Sequence, residues 1–233
     1  MLRRRIRETP PALTFADDRD SRDNEALGLL LVFALRSDSC CIDVGAHEGM
    51  WLEEFRRVAP RGRHIAYEPL PDMYRELAAR FPEMDIRNAA LSNENGETSF
   101  VHVRSLPGYS GMRPRDYPHE VETETITVRT ERLDDTLPDG FVPALIKIDV
   151  EGAERLVVEG ARETIRRHRP IVVFEHGPGA AEHYETTPGD MFRLLHDEAG
   201  LSLFDLDGNG PFDLREFERR FESGVQWNWV ARP

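Results

Sequence analysis

Glycine and acidic residues follow the first two apolar segments of the sequence. Asp43, Gly45 and Gly49 stand in or just after the apolar run 40–46, and Glu68 ends the next run. Glycines let the backbone turn tightly and approach a ligand, and a carboxylate at the end of a second strand can accept hydrogen bonds from ribose hydroxyls. The loop is not the dinucleotide pattern G-x-G-x-x-G, which favours an adenosyl ligand without a pyrophosphate. A structural tight turn would also explain the glycines alone.

Three ionisable residues alternate along a later apolar run. Lys147, Asp149 and Glu151 are separated by single residues, so a strand would point their side chains to one side. Such groups at the end of a buried strand are costly unless they pair with each other or carry function. Glu175 and His176 end the following apolar run, and the imidazole adds a candidate proton acceptor near the same edge. A structural ion-pair network is the alternative interpretation.

Apolar runs and helical periodicities alternate through most of the chain. Buried strands are predicted at 40–46, 64–68, 84–91, 144–149, 170–176, 201–206 and 225–231. Helices are predicted at 21–36, 48–58, 71–81, 151–168 and 188–200. This alternation predicts an α/β fold, a mostly parallel sheet with helices on both faces. We expect one domain at 21–233 after a flexible tail at 1–20.

The alternation is interrupted between 97 and 131, where two segments of alternating polarity flank a loop rich in glycine, proline and tyrosine. The pattern predicts a β-hairpin insertion whose loop, 105–120, is either a substrate lid or disordered. Each side chain of the loop could equally lie at a solvated hairpin tip. The candidate substrate contacts are Tyr109, Arg113, Arg115 and Tyr117.

Composition argues against nucleic acid and membrane as binding partners. The formal net charge of −13 argues against a non-specific nucleic-acid binder, because phosphates would be repelled. No apolar run approaches the roughly 20 residues of a membrane span, so we expect no membrane partner. Cys40 and Cys41 are adjacent and there is no secretory signal, which favours reduced thiols in a cytoplasmic protein. The oligomeric state is left open, a homodimer included.

The segment 205–216 has the residue types of an EF-hand calcium loop. Asp205 would be its first ligand and Glu216 its bidentate last ligand. An EF-hand needs a helix that leads into the first ligand, whereas Gly200 ends the preceding helix and a strand-like alternation follows. We therefore expect a strand, a turn and a helix capped by Asp213. A calcium-responsive binding module is the alternative.

Several motifs together resemble the FkbM family of class I S-adenosylmethionine-dependent methyltransferases. The resemblance spans about residue 39 to the C-terminus, with "IKIDVEGAE" as its most specific part. The motifs are, in order, "IDVGAHEG", "YEPLP", "NAALS" followed by "NGETSF", "LIKIDVEGAE", "RPIVVFE" and "WNWVARP". The family implies a Rossmann-like sheet of seven strands with the last strand antiparallel. It also implies a small-molecule acceptor, since many members act on hydroxyls of sugars and polyketide natural products.

The resemblance further implies a set of cofactor-binding residues. Glu68 is expected on the ribose, and Asn88 and Ala90 near the adenine. His47 stands where such proteins usually carry asparagine. The full set of expected cofactor residues is Asp43, Gly45, His47, Gly49, Glu68, Asn88, Ala90 and Asp149.

Methyl transfer to a hydroxyl requires orientation of the acceptor and a base that takes its proton. His176 is the first candidate base, with Asp149 and Glu151 as alternatives, and Lys147 could orient the carboxylates or the substrate oxygen. Asp149 and Glu175 could instead hold a divalent cation such as Mg²⁺. We therefore expect an O-methyltransferase, with N-methylation as the alternative. An NAD-dependent oxidoreductase is disfavoured by the missing third glycine.

Overall fold

The protein contains one seven-stranded and one three-stranded sheet. The structure, a computed structural model, describes residues 15–117 and 119–233, with side chains from residue 19 onwards. Within these ranges the strands are β1 (Cys40–Val44), β2 (His64–Tyr67), β3 (Asp85–Arg87), β4 (Ala90–Leu91), β5 (Gly96–Val103), β6 (Thr123–Glu131), β7 (Pro143–Ile148), β8 (Ile171–Glu175), β9 (Ser202–Asp205) and β10 (Asn228–Arg232).

The large sheet has the strand order β3-β2-β1-β7-β8-β10-β9. All pairs from β3 to β8 are parallel, whereas β10 lies between β8 and β9 and is antiparallel to both. From β1 the strands β2 and β3 follow in one direction across the sheet, whereas β8 and the later strands lie on the other side, beyond β7. The boundary between β1 and β7 is therefore the switch point where ligands of open α/β sheets bind. The predicted fold class, a seven-stranded Rossmann-like sheet with its last strand antiparallel, is confirmed.

Helices cover both faces of this sheet. They are α1 (Phe15–Ala34), α2 (Met50–Val58), α3 (Pro71–Arg80), α4 (Leu133–Thr136), α5 (Glu154–Gly160), α6 (Arg162–His168), α7 (Pro188–Phe192) and α8 (Leu214–Glu222). The predicted helix at 151–168 begins later, at Glu154, because Glu151 and Gly152 adopt left-handed φ values of 59° and 103°. The chain after α7 continues as a π-helix over Arg193–Glu198.

Alternate residues of the strands face two separate cores, as the strand period of two requires. Ile42 of β1 and Ile146 of β7 pack with Val157 of α5 and Phe217 of α8 on one face. On the other face Cys41 and Leu145, their neighbours along the strands, pack with Leu31, Leu52 and Leu77 of α1, α2 and α3. The sheet is therefore buried on both sides, which leaves its carboxyl edge as the place for polar side chains.

The insertion forms the second sheet, in the order β4-β6-β5. β5 and β6 make the predicted antiparallel hairpin, and β4 adds a short parallel strand. The predicted strand at 84–91 is wrong as a single element: its first part stays in the large sheet as β3, and Ala90–Leu91 leaves it to join β6. Phe100 and Val128 pack with Leu70 and Ala90 beneath this sheet.

Helix α1 begins at Phe15, so residues 15–20 of the expected flexible tail are helical. The rest of that predicted tail lies outside the described residues. None of the helices in the described ranges has both the length and the apolar character needed to cross a membrane.

The EF-hand-like segment forms a strand, a turn and a helix. Asp205 ends β9, and its carboxylate accepts hydrogen bonds from the backbone and side chain of Asn209 and pairs with Arg220. Asp213 caps α8 by accepting from the backbone N–H of Glu216 at 2.9 Å. No helix leads into Asp205, and its oxygens already have protein partners. The expectation of a strand, turn and helix is confirmed.

A substitution at Gly160, the last residue of α5, would test the close packing of this helix against Ser92. A Cβ atom on Gly160 would overlap the carbonyl oxygen of Ser92, whereas one on Gly28 of α1 would meet open space. We expect Gly160→Ala to lower the free energy of unfolding by about 1–3 kcal/mol. Gly28→Ala should raise it by about 0.5–1 kcal/mol, since alanine favours the helix. Urea unfolding monitored by circular dichroism measures both, and a Gly160→Ala protein as stable as the wild type would contradict this packing.

Candidate functional site

A cavity of about 310 Å³ lies at the carboxyl ends of β1 and β2. Its walls come from both sheets, because Phe100 of the hairpin and Leu91 of β4 close it on the side away from β1. Such a volume is at the lower end of the range for small-molecule sites. The expected cofactor residues that line it are Gly45, His47, Glu68, Ala90 and Asp149.

The loop after β1 lies directly against the end of β7. Gly45 has a left-handed φ of 82°, and a Cβ atom there would overlap the carbonyl oxygen of Asp149. The backbone N–H of Asp149 donates to the carbonyl of Val44 at 3.0 Å. Glycine is therefore required at position 45 both by its conformation and by the close approach of the two strands.

Glu68 is fixed by two backbone hydrogen bonds. Its Oε2 accepts from the N–H of His47 and its Oε1 from the N–H of Leu70, each at 2.9 Å. The residue is 3% exposed, and burial raises the pKa of this carboxyl to about 7 despite these two donors. Each oxygen keeps a further lone pair with which it could accept from a ligand hydroxyl.

Three of the expected cofactor residues do not line this cavity. Asn88 instead donates from its side chain to the carbonyls of Glu68 and Pro69, at 2.9 and 3.0 Å, and so holds the loop after β2. Gly49 precedes α2 at a φ of 77° and faces Leu77. Asp43 lies beneath the cavity, fully buried within β1.

A line of buried charge joins β1 to the end of β7. The Nζ atom of Lys147 lies 3.7 Å from Oδ1 of Asp43 and 3.2 Å from Oδ2 of Asp149. Burial raises the pKa of Asp43 to about 6, and the ammonium opposes that shift. Burial also disfavours a charged lysine, but the two carboxylates outweigh it and raise the pKa of Lys147. Lys147 is therefore a cation held between two acidic groups.

Three carboxyl groups meet beside this lysine. Oxygens of Asp149, Glu151 and Glu175 lie within 4.8 Å of one another, a grouping that could hold a metal ion. Burial and the nearby Asp149 raise the pKa of Glu175 well above its usual range. Burial also acts to raise the pKa of Asp149, but the Lys147 ammonium and the hydrogen bond from Glu175 together outweigh it and lower that pKa. The two carboxyls are hydrogen-bonded to each other, so a proton held there is shared by the pair. Arg115 forms an ion pair with Glu151.

A second cavity of about 370 Å³ adjoins the first. It extends from the shared residues towards α1, where Asp20, Asp23 and Leu27 line it, and towards the end of β8 at Glu175. Its charged lining is mostly acidic. The residues common to both cavities are Met50, Trp51, Gly108, Lys147, Asp149 and Glu151. The charged cluster therefore lies where ligands of the two cavities would meet.

His176 lines neither of these two cavities but a third, of about 300 Å³. It is 1% exposed and its ring lies against Phe217 and Phe221, with centroids 6.3 and 4.7 Å away. Burial lowers its pKa to about 4, so the imidazole is neutral at physiological pH. This position disfavours the expectation that His176 is the base at the junction of the first two cavities.

The loop 105–120 contributes only some of its expected contacts. Tyr109 and Arg115 line the second cavity, and the Arg115 guanidinium stacks 5.0 Å from the Tyr109 ring centroid. Arg113 is exposed and its guanidinium donates to the carbonyl of His183, away from the second cavity. Tyr117 is half-buried and has no place in the lining of the three cavities.

Sequence reasoning did not identify the apolar walls or the contribution of α1. Leu91, Phe100 and Met112 enclose the first cavity, and Asp20 and Asp23 line the second. The alternating polarity of β5 marks Phe100 as a core residue, but it does not indicate that the hairpin folds over the carboxyl edge of the large sheet. Asp20 fell in a segment expected to be flexible.

Comparisons with known proteins agree with this architecture. The family model described as the methyltransferase FkbM domain matches residues 43–201, more than half of the chain. The crystal structure of methyltransferase FkbM from Methylobacillus flagellatus superposes with a TM-score of 0.53 at 15% identity, covering 85% of this chain and 44% of that one. At that identity the superposition shows the fold alone.

Curated relatives match at low identity. The 2-O-methyltransferase NoeI of Sinorhizobium fredii is 28% identical over 153 residues, which cover 58% of this chain and 63% of NoeI. The hexuronic acid methyltransferase AglP of Haloferax volcanii is 28% identical over 191 residues, covering 79% of this chain and 72% of AglP. The chain spans less than two thirds of the length of several such relatives, NoeI among them.

Glu68 offers a test of the first cavity as the cofactor site. Protonation of Glu68 removes a hydrogen-bond acceptor, so binding of S-adenosylhomocysteine should weaken as the pH falls through about 7. Glu68→Gln should weaken binding about tenfold at pH 8 and abolish this pH dependence. Isothermal titration calorimetry measures both, with Glu48→Gln, an exposed residue of the same cavity, as the matched control. Equal affinity of the two variants would contradict the assignment.

Proposed function

Because the chain belongs to the FkbM family of methyltransferases, we propose that it transfers a methyl group from S-adenosylmethionine to a hydroxyl of a small-molecule acceptor. One observation carries the proposal: the first two cavities meet at Lys147, Asp149 and Glu151. A donor in one cavity and an acceptor in the other would be adjacent only there. Holding two reactants in contact and in the right orientation is a large part of what a protein can contribute to methyl transfer.

The residues of the first cavity fit the cofactor. Glu68 would bind the ribose hydroxyls, and the apolar side chains of Leu91 and Phe100 would enclose the adenine. The Nε2 atom of His47 is buried without a hydrogen-bond partner among the described residues, which leaves a polar atom for the ligand at the position where the family usually has asparagine. The ionised Asp149 would favour the positive charge of a sulfonium at the cavity junction.

The cofactor supplies an electrophilic methyl group, and the protein supplies orientation and a proton acceptor. Lys147 keeps Asp149 ionised, and the carboxylate would accept a hydrogen bond from the hydroxyl group of the substrate. This hydrogen bond would orient a lone pair of the hydroxyl oxygen towards the methyl group. As the new C–O bond formed and the methyl–sulfur bond broke to leave a neutral thioether, the hydroxyl proton would pass to the carboxyl pair of Asp149 and Glu175. Lys147 would act as a positioning residue, since its ammonium contacts Asp149 and Asp43 together.

A metal-assisted mechanism is a weaker proposal for this cluster. The spacing of Asp149, Glu151 and Glu175 suits a cation, but Lys147 and Arg115 already neutralise two of these carboxylates. An ammonium 3.2 Å from Asp149 would repel a divalent ion at the same oxygens. We therefore assign the proton transfer to the carboxyl pair.

The chemistry of the acceptor rests on the relatives and on the second cavity. The names of NoeI and AglP describe a 2-O-methyltransferase and a hexuronic acid methyltransferase. The carboxyl-rich second cavity offers many hydrogen-bond acceptors, which suits hydroxyl groups. It would also suit an amine, which keeps N-methylation as the second candidate.

Incubation with S-adenosylmethionine and a panel of hydroxylated and amino acceptors tests this function. We expect release of S-adenosylhomocysteine and a product whose methyl carbon has the chemical shift of a methyl ether by nuclear magnetic resonance. EDTA should leave the rate unchanged. An N-methyl product would establish the second candidate, and failure of folded protein to bind S-adenosylhomocysteine would contradict both.

Asp149→Asn tests the proton acceptor. The amide keeps the size of the side chain but cannot take up a proton, so turnover should fall by about 10²–10⁴-fold with cofactor affinity within a few-fold of the wild type. His176→Phe, which preserves packing against Phe217 and Phe221, should leave the chemical step at saturating acceptor much less affected. Steady-state kinetics measures turnover and calorimetry measures cofactor affinity. A larger loss of turnover in His176→Phe than in Asp149→Asn would identify His176 as the base.

The shared proton of the carboxyl pair predicts a pH profile. Since the pKa of Glu175 is raised, the pair keeps its shared proton to a higher pH than two separate carboxyls would, and it is a weaker base while it holds that proton. Turnover should therefore rise with pH as Glu175 ionises, and then level off. Glu175→Gln cannot ionise and should give a flat profile over the same range, whereas Glu48→Gln should retain the rise. A rising profile in Glu175→Gln would assign the titration to another group.

A further inference from the structure

The third cavity is an extension of the second and is separate from the first. It shares Asp20, Tyr109, Arg115 and Glu175 with the second cavity and no residue with the first. A group in the third cavity would thus contact the residues that this cavity shares with the second cavity, without reaching the first. If the second cavity holds the unit that is methylated, as the proposed function requires, the third is placed to hold the adjoining part of the same acceptor.

His176 shows that this cavity has an unsatisfied polar group. The residue lines the cavity and is 1% exposed, yet neither Nδ1 nor Nε2 has a hydrogen-bond partner among the described residues. Buried polar atoms are nearly always paired, so two unpaired ring nitrogens require an explanation. A neutral imidazole has one donor and one acceptor, which is the pattern that matches a hydroxyl group.

An aromatic side chain forms another wall. The indole of Trp227 lies against Gly177, where any Cβ atom would overlap its Cδ1, so the missing side chain at 177 makes room for it. Trp227 is half-buried, and its carbonyl accepts from the N–H of His176 at 2.7 Å, which fixes the two residues together. Tyr109, stacked on Arg115, stands where the second and third cavities meet. Aromatic faces beside hydrogen-bonding groups suit a ring with one apolar face and several hydroxyls.

The charges of the cavity restrict that ring. Its ionisable lining consists of Asp20, Glu154, Glu175, His176 and Arg115. Burial raises the pKa of Glu154 to about 7, and Arg115 already pairs with Glu151. A carboxylate on the ligand would meet acidic groups without an uncommitted cation in the lining, so an uncharged ring is favoured.

We propose that the third cavity is a binding subsite for a second, neutral glycosyl unit, so that the acceptor is a saccharide of at least two units. The unit would stack on Trp227 and hydrogen-bond to one of the ring nitrogens of His176. The inference rests on the proposed function for its orientation, because the methylated unit must lie in the second cavity beside Asp149. It makes Trp227 and His176 acceptor-binding residues rather than groups that act on the methyl group.

Binding of short saccharides tests the subsite without requiring turnover. The probes are cellobiose, maltose and N,N′-diacetylchitobiose, each compared with its monosaccharide, glucose or N-acetylglucosamine, in the presence of S-adenosylhomocysteine. Titrations are followed by calorimetry and by the indole N–H resonances of ¹⁵N-labelled protein, with Trp227→Phe identifying the Trp227 resonance. We expect at least one disaccharide to bind about tenfold more tightly than its monosaccharide and to shift this resonance.

Two variants and a control locate the effect. Trp227→Ala and His176→Phe should each reduce the preference for the disaccharide about tenfold, with affinity for S-adenosylhomocysteine unchanged. Phe33→Ala, which removes an aromatic ring that is 85% exposed on α1, should keep the preference. Thermal unfolding of each variant identifies any loss of folding. If a variant does not fold, the test is whether a disaccharide shifts the Trp227 indole resonance of the wild-type protein.

The outcomes separate this inference from the proposed function. If S-adenosylhomocysteine binds but no disaccharide shifts the Trp227 resonance or exceeds its monosaccharide in affinity, the glycosyl subsite is wrong and the methyltransferase proposal stands. A preference that persists in Trp227→Ala would also overturn the subsite. If S-adenosylhomocysteine itself does not bind, the proposed function fails, and the subsite fails with it.

Discussion

The site depends on one buried cation, the ammonium of Lys147. It lies between the carboxylates of Asp43 and Asp149 and so neutralises acidic groups at the ends of two adjacent strands, β1 and β7. Without it, the fully buried carboxylate of Asp43 would lie near a second carboxylate with no counter-charge, and burial would favour its protonated form. Lys147 is the only lysine of the chain. Arginine, with its planar and larger head group, would not replace a compact ammonium between strands at this spacing.

The order of the strands explains why this cation lies at the junction of the cavities. β1 and β7 are neighbours at the point where the sheet reverses its order, so the connections that follow them run to opposite sides and leave a crevice beyond their carboxyl ends. The backbone contact of Gly45 with Asp149 holds the two ends together, while the hairpin covers one side and α1 the other. The two cavities and the charged groups between them are thus consequences of one topological feature.

The sequence predicted the strands and helices of this arrangement better than the tertiary contacts of individual side chains. Alternation of apolar runs and helices gave the large sheet, and Gly45, Glu68 and Asp149 lie at the first cavity because strand ends in a parallel sheet share one edge. His176 was expected to be the base from its pKa range and its place at the end of a strand, and periodicity could not show that its ring packs against Phe217 and Phe221. Asn88 was expected beside the adenine, but its amide holds the backbone after β2. Long-range packing decides such positions, and a single sequence does not encode it in a local pattern.

A crystal structure with bound S-adenosylhomocysteine would show whether donor and acceptor meet at the cluster of Lys147, Asp149 and Glu151. We expect the nucleoside in the first cavity, with its ribose hydroxyls hydrogen-bonded to Glu68 and its thioether sulfur facing Asp149 at the opening to the second cavity. A nucleoside seated in the second cavity, or a sulfur atom directed away from Asp149, would contradict it.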